Sequence, residues 1–301
     1  MSFSASDSAF EGFRLTRRAP LAIALWALVY FVGSMIMFAA MGGALGDLMQ
    51  AAEAMEAASS GGDPDIAVMG DFFAAYGRFA AAAFPIGIIL NVVMSAAVSR
   101  AVLRPSEKAF GYLRLGGDEL RVFVVNLVLL LVFIGVGIVG GIVIGVAAGV
   151  LGQTNEGAAA GVAILLMLVL VCAIIWIAVR LGLAVPMTVA ERRIRIFDSW
   201  GVTKGRFWSL LGMGILAFIL ALVVQILLSL VGVPLAMAIG GGMGAFEQIA
   251  SLPENDIQSL LRTMAPLFIG YLAFGAILQA LQYAILMAPW ASAYQQLSGR
   301  E

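Results

Sequence analysis

Long apolar runs alternate along the chain with short, charged connectors. Six runs, near 21–44, 79–103, 122–151, 160–185, 207–238 and 266–290, are long enough as helix to cross a hydrocarbon core, which takes about 20 residues. They are continuously apolar and lack the period-two alternation of barrel strands, so spanning helices are expected. The predicted fold is an all-α integral membrane protein forming one polytopic domain over residues 1–301. Two connectors, about 45–78 and 239–265, extend outside the runs. The first is acidic and Ala-rich and predicts two short helices either side of a break at Ser59–Pro64. The second predicts a helix around Ile249–Met264. Neither is large enough for a separate catalytic domain.

Charge sets the orientation. Fifteen of the 17 Lys and Arg residues fall before run one, between runs two and three, between runs four and five, or in the tail. The opposite side holds Arg78 and Arg262 together with most of the acidic residues outside the runs. The positive-inside rule then predicts that both termini and the basic connectors are cytoplasmic, in a bacterial inner membrane.

The basic connectors also resemble one another. Ala9-Phe10-Glu11-Gly12-Phe13-Arg14-Leu15, Ala109-Phe110-Gly111-Tyr112-Leu113-Arg114-Leu115 and Ile196-Phe197-Asp198-Ser199-Trp200-Gly201-Val202 each lead into an odd-numbered run. Aromatics interleaved with basic residues suit an amphipathic helix at the headgroup boundary. Three like-oriented hairpins are therefore expected, each preceded by an interfacial helix, at about 5–19, 106–120 and 191–206. Ala293–Leu297 reads as a truncated fourth segment of this kind. Within run three, Gly137, Gly141, Gly145 and Gly149 recur every fourth residue, a pattern that lets another helix approach closely. Asn91, Asn126, Gln225, Gln279 and Gln282 are candidate interhelical hydrogen-bond glue.

Composition narrows the chemistry. Hydrophobic residues are 62% and charged residues 12%, about half the charged share of a soluble domain, which leaves a bilayer as the fitting solvent. There is no histidine, and the single cysteine, Cys172, lies in an apolar run. A zinc site of thiolates and imidazoles is thereby excluded. No metal, cofactor or catalytic residue is expected, and no nucleic-acid partner follows from a net charge of −1. No carboxylate lies mid-run, which argues against a proton- or cation-coupled transporter. The densest polar stretch runs from Arg180 to Trp208. There, Arg180, Arg192, Arg193, Arg195, Lys204, Arg206 and Trp208 are candidate contacts for anionic lipid headgroups.

Pro186, Glu191, Phe197-Asp198-Ser199-Trp200 and Thr203-Lys204-Gly205-Arg206-Phe207-Trp208, entering an apolar run, carry a resemblance. The segment about 180–215 resembles uncharacterised bacterial six-span proteins related to the membrane domain of glycerophosphoryl diester phosphodiesterases, the YciC-like group among them. The resemblance implies six spans and no activity, because the phosphodiesterase chemistry of those relatives belongs to an appended soluble domain that is missing here. The expected function is a non-enzymatic membrane module that touches lipid headgroups, a membrane-protein partner or a second copy of itself. The alternative is a transporter or lipid flippase, which would converge the amides on a common central face.

Overall fold

A computed structural model of the chain describes residues 3–59, 66–153, 155–239, 244 and 257–299. The described elements are α1 (Ala5–Ala9), α2 (Glu11–Arg18), α3 (Pro20–Ser59), α4 (Ile66–Leu103), a turn of 3-10 helix at Ala109–Tyr112, α5 (Gly117–Gly152), α6 (Glu156–Leu181), α7 (Ala184–Glu191), α8 (Asp198–Val202), α9 (Phe207–Ile239) and α10 (Ile257–Ser298). Six of them, α3, α4, α5, α6, α9 and α10, are long and apolar enough to cross a membrane. The chain is a multi-pass, all-helical membrane protein.

Several boundaries differ from those read in the sequence. The stretch 45–59 is the end of α3, a helix of 40 residues, and 66–78 is the start of α4, of 38 residues. Alanines 51, 52, 54, 57 and 58 are strong helix formers, and nothing between 44 and 59 breaks the helix, so the spanning helix runs on. The break expected at Ser59–Pro64 and the start of the helix expected at Ile249–Met264 lie outside the described residues. Ala293–Leu297 continues α10 without interruption.

Over 106–120 the structure has the Ala109–Tyr112 turn and the first residues of α5 instead of one helix. Pro105 precedes that stretch, Gly111 and the Gly116–Gly117 pair interrupt it, and Phe110, Gly111 and Tyr112 are left-handed at φ of 50°, 65° and 65°. Over 191–206 the helix is α8 alone, five residues long.

Contacts divide the chain into two compact units: Met1–Arg18, Ser95–Leu220 and Ala284–Glu301 form the first, Ala19–Met94 and Ala221–Tyr283 the second. In the first unit, Ala9, Val179, Leu183, Met187, Leu210, Met213, Ala293 and Tyr294 form a buried apolar core. Two glycines permit close approach. A Cβ on Gly12 of α2 would lie 2.4 Å from the Ile285 Cα of α10, and one on Gly182 would lie 2.5 Å from the Trp290 ring. Gln296 ties the chain's beginning to α10, accepting from the Ser4 N–H at 3.1 Å and donating to the Ser8 hydroxyl at 3.1 Å.

The α5–α6 pair also belongs to this unit, and its contact falls beside the glycine stripe. Gly140 is the residue that lets α6 in, since a Cβ there would be 2.5 Å from Leu170 Cδ1. Gly137, Gly141, Gly145 and Gly149 have open space around the Cβ position among the described residues. Their stripe is turned off the α6-facing side, and no described residue packs against it.

In the second unit, Gly33 of α3 packs under Leu90 of α4, and Gly232 of α9 under the Phe274 ring of α10. The Phe38 and Phe268 rings lie 4.2 Å apart, and Tyr30 and Tyr283 6.2 Å. Gln282 donates to Gln225, which donates in turn to Ser229 at 3.3 Å, and the Tyr283 hydroxyl donates to the Asn91 carbonyl at 3.2 Å. These bonds are made between neighbouring helices or within one turn, the arrangement of interhelical glue.

Candidate functional site

Two polar clusters of the first unit are each built around an arginine in the last turn of an apolar helix.

The first centre is Arg100 of α4, only 1% exposed. Its Nη2 donates to Glu119 Oε1 at 2.6 Å and lies 3.8 Å from Asp118, while Nη1 donates to the Tyr112 carbonyl. That last bond pins the left-handed turn, a backbone conformation that costs a non-glycine residue on the order of 1 kcal/mol. Glu119 does two jobs, because its other oxygen accepts from the Gly116 N–H at 2.9 Å and so caps α5. Asp118 and Glu119 in the first turn of α5 are also favoured by the positive end of the helix dipole. Around this core Arg104 pairs with Asp118 at 3.0 Å and donates to the Val189 carbonyl of α7. Arg121 takes the other Asp118 oxygen at 2.8 Å, and Arg114 and Arg192 share Glu107 at 3.1 and 3.3 Å. The arginines are thus knitted together by three carboxylates.

The second centre is Arg180 of α6. Its guanidinium lies 5.7 Å from the Trp176 ring and 5.9 Å from the Trp200 ring, and the two indoles meet edge-on at 4.8 Å. Trp176 is one helical turn before Arg180, and α8 brings in Trp200. The same short helix caps α6: Ser199 donates to the Arg180 carbonyl at 2.7 Å, satisfying one of the orphan acceptors of a helix end. Thr203 accepts from Arg180 Nη1 at a long 3.5 Å, and the buried Nε has no hydrogen-bond partner among the described residues. No carboxylate among the described residues pairs with Arg180.

The residues singled out in the sequence are therefore dispersed. Arg192, left-handed at φ 55°, turns to Glu107 and joins the Arg100 network. Arg195 is held by Glu191 at 3.0 Å and Asp198 at 2.8 Å, and the Asp198 hydrogen bond together with the charge of Glu191 raises its pKa further. Arg193, Lys204 and Arg206 are exposed, the last two flanking Gly205, whose φ of +78° makes the turn into α9. Trp208 is 78% exposed and stacks edge-on with Phe207. Sequence reasoning missed Trp176, Trp200 and Thr203 as the surroundings of Arg180. It also missed Glu107, Asp118 and Glu119 as the counter-charges of Arg100. The available signal was the Asp118-Glu119 pair, two adjacent acids in a connector rich in arginine and directly after two glycines.

No group of His, Cys, Asp and Glu among the described residues has the geometry to hold a metal ion. No family model matches the chain, and neither does any curated protein or any solved structure.

Proposed function

We propose that the protein is a non-enzymatic membrane module that holds anionic lipid headgroups at its basic end. The observation that carries this reading is Arg180, a half-buried guanidinium beside two indole rings with no carboxylate partner among the described residues. Indoles favour the headgroup level of a bilayer, and a planar guanidinium with unengaged donors suits a phosphate oxygen. Arg193, Lys204 and Arg206, exposed nearby in the sequence, add to the field that would draw such lipids. In this proposal the basic end is cytoplasmic, the membrane is a bacterial inner membrane, and the chain is a YciC-like protein. Its spans would then be three like-oriented hairpins, the pre-span segments lying at the headgroup boundary. The amide bonds of the second unit join neighbouring helices and lend no support to a transport path.

Two experiments test this. Native mass spectrometry of the full chain from nanodiscs of phosphatidylcholine with phosphatidylglycerol should show preferential retention of phosphatidylglycerol, weakened in Arg180→Gln. Equal retention of both lipids would sink the reading. Orientation is read with Cys172 replaced and one cysteine placed at Lys204, which should react with an impermeant maleimide only in inverted vesicles.

A further inference from the structure

We propose that the depression at the start of α5 is a binding site for a phosphate monoester group. This rests on the headgroup reading and names a second, separate ligand position with its own chemistry. The depression has a volume of about 350 Å³, within the range of small-ligand sites, and Arg100, Arg114, Arg121 and Arg192 line it together with Gly116 and Gly117.

The charge balance gives the class of ligand. Five guanidiniums, those of Arg100, Arg104, Arg114, Arg121 and Arg192, are interlinked with the carboxylates of Glu107, Asp118 and Glu119. Two positive charges are left over. A phosphate monoester carries close to two negative charges at neutral pH, whereas a diester carries one. The acids lining the depression do not repel such a group freely, because Asp118 is bonded to Arg104 and Arg121, and Glu119 to Arg100 and the Gly116 N–H.

The donors fit as well. Arg114, Arg121 and Arg192 each engage a carboxylate through one nitrogen only, which leaves the rest of each fork for a second oxygen. Arg100 lines the depression while almost wholly buried, with its Nε 4.0 Å from Glu107. Gly116 and Gly117 present backbone without side chains at the start of a 36-residue helix, whose dipole favours an anion, while the Gly116 N–H itself is held by Glu119.

The chemistry is shared by phosphatidic acid in the bilayer and by a soluble phosphate monoester, and the test separates them. Wild type and the triple variant Arg114→Gln, Arg121→Gln, Arg192→Gln are placed in nanodiscs of phosphatidylcholine with equal fractions of phosphatidic acid and phosphatidylglycerol. Retained lipid is read by native mass spectrometry, and the thermal midpoint is read with and without inorganic phosphate. Each lost guanidinium contact should weaken binding about tenfold. A wild-type preference for phosphatidic acid that vanishes in the triple variant supports the site with a lipid ligand. No lipid preference, but a phosphate-induced midpoint rise confined to wild type, supports it with a soluble ligand. Indistinguishable behaviour of the two proteins in both arms overturns it. In that last case, phosphatidylglycerol retention that is still lost in Arg180→Gln would leave the headgroup reading standing. Should the triple variant not fold, Arg192→Gln alone, at an exposed residue, serves the same comparison.

Discussion

Arg100 and Arg180 hold matching places, each in the last turn of an apolar helix, and their surroundings are opposite. Arg100 is buried against Glu119 and Asp118 and pins the Tyr112 carbonyl, so its charge is neutralised inside the protein. Arg180 is half-buried between two indoles, which attract a cation without cancelling its charge. A paired arginine of the first kind fixes backbone. One of the second kind keeps a field directed at whatever anion approaches. The same residue type at the same helical position is thus paired with carboxylates in one place and set between indoles in the other, and under the headgroup proposal only the second would meet the lipid.

The largest expected effect comes from breaking the neutralised partner. Arg100→Met should destabilise the protein by about 3–5 kcal/mol, the usual cost of stranding a buried partner, here Glu119 with an 8% exposed side chain. Unfolding in mixed detergent and SDS micelles measures it. Adding Glu119→Leu to Arg100→Met should recover part of the loss, because the stranded charge is then gone. The recovery stays incomplete, since Glu119 also caps α5. A double variant no better than the single one would show that the ion pair is not the source of the stability.

Arg104 is intermediate. Its removal leaves the Val189 carbonyl without that donor, while Asp118 keeps Arg121 at 2.8 Å, so Arg104→Met should cost about 1–3 kcal/mol by the same measurement. Arg180→Met should cost only about 1 kcal/mol, the scale of cation–π contacts at partly exposed sites. The comparison breaks if Arg180→Met proves as destabilising as Arg100→Met, for then Arg180 is a structural residue too.

The six spanning helices were legible in the sequence because a 20-residue apolar run has few alternatives. The charge asymmetry was equally plain. What was not legible is which arginine meets which partner. Arg100 and Glu119 are 19 residues apart, joined through a left-handed turn at Phe110–Tyr112 that no periodicity announces. Arg192 reaches Glu107, 85 residues away, because the backbone at Arg192 turns left-handed at the end of α7. The glycine stripe is a subtler case. A four-residue repeat predicts a smooth face, and it does not say that the neighbouring helix uses that face. α6 sits against Gly140, one position out of register with Gly141.

Glu11 tests the comparison from the acid side, and with the smallest effect. Its carboxylate is 8% exposed and lies 3.1 Å from Arg18 and 3.3 Å from Arg14, both of which are more than 40% exposed. Burial nevertheless dominates over those two charges and pushes its pKa above the ordinary carboxylate value. A carboxyl whose pKa is raised by folding contributes stability that is fully present below its unfolded value near 4.5 and is lost as pH rises through the folded value. Acidification from neutral pH through that window should therefore strengthen the packing of α2. Hydrogen exchange of the α2 amides, corrected for the intrinsic pH dependence, should show protection growing as pH falls, and Glu11→Gln should abolish the trend. Protection that instead weakens on acidification would mean that half-exposed arginines can fully compensate a buried carboxylate. Charge pairing and burial would then no longer separate the two kinds of site.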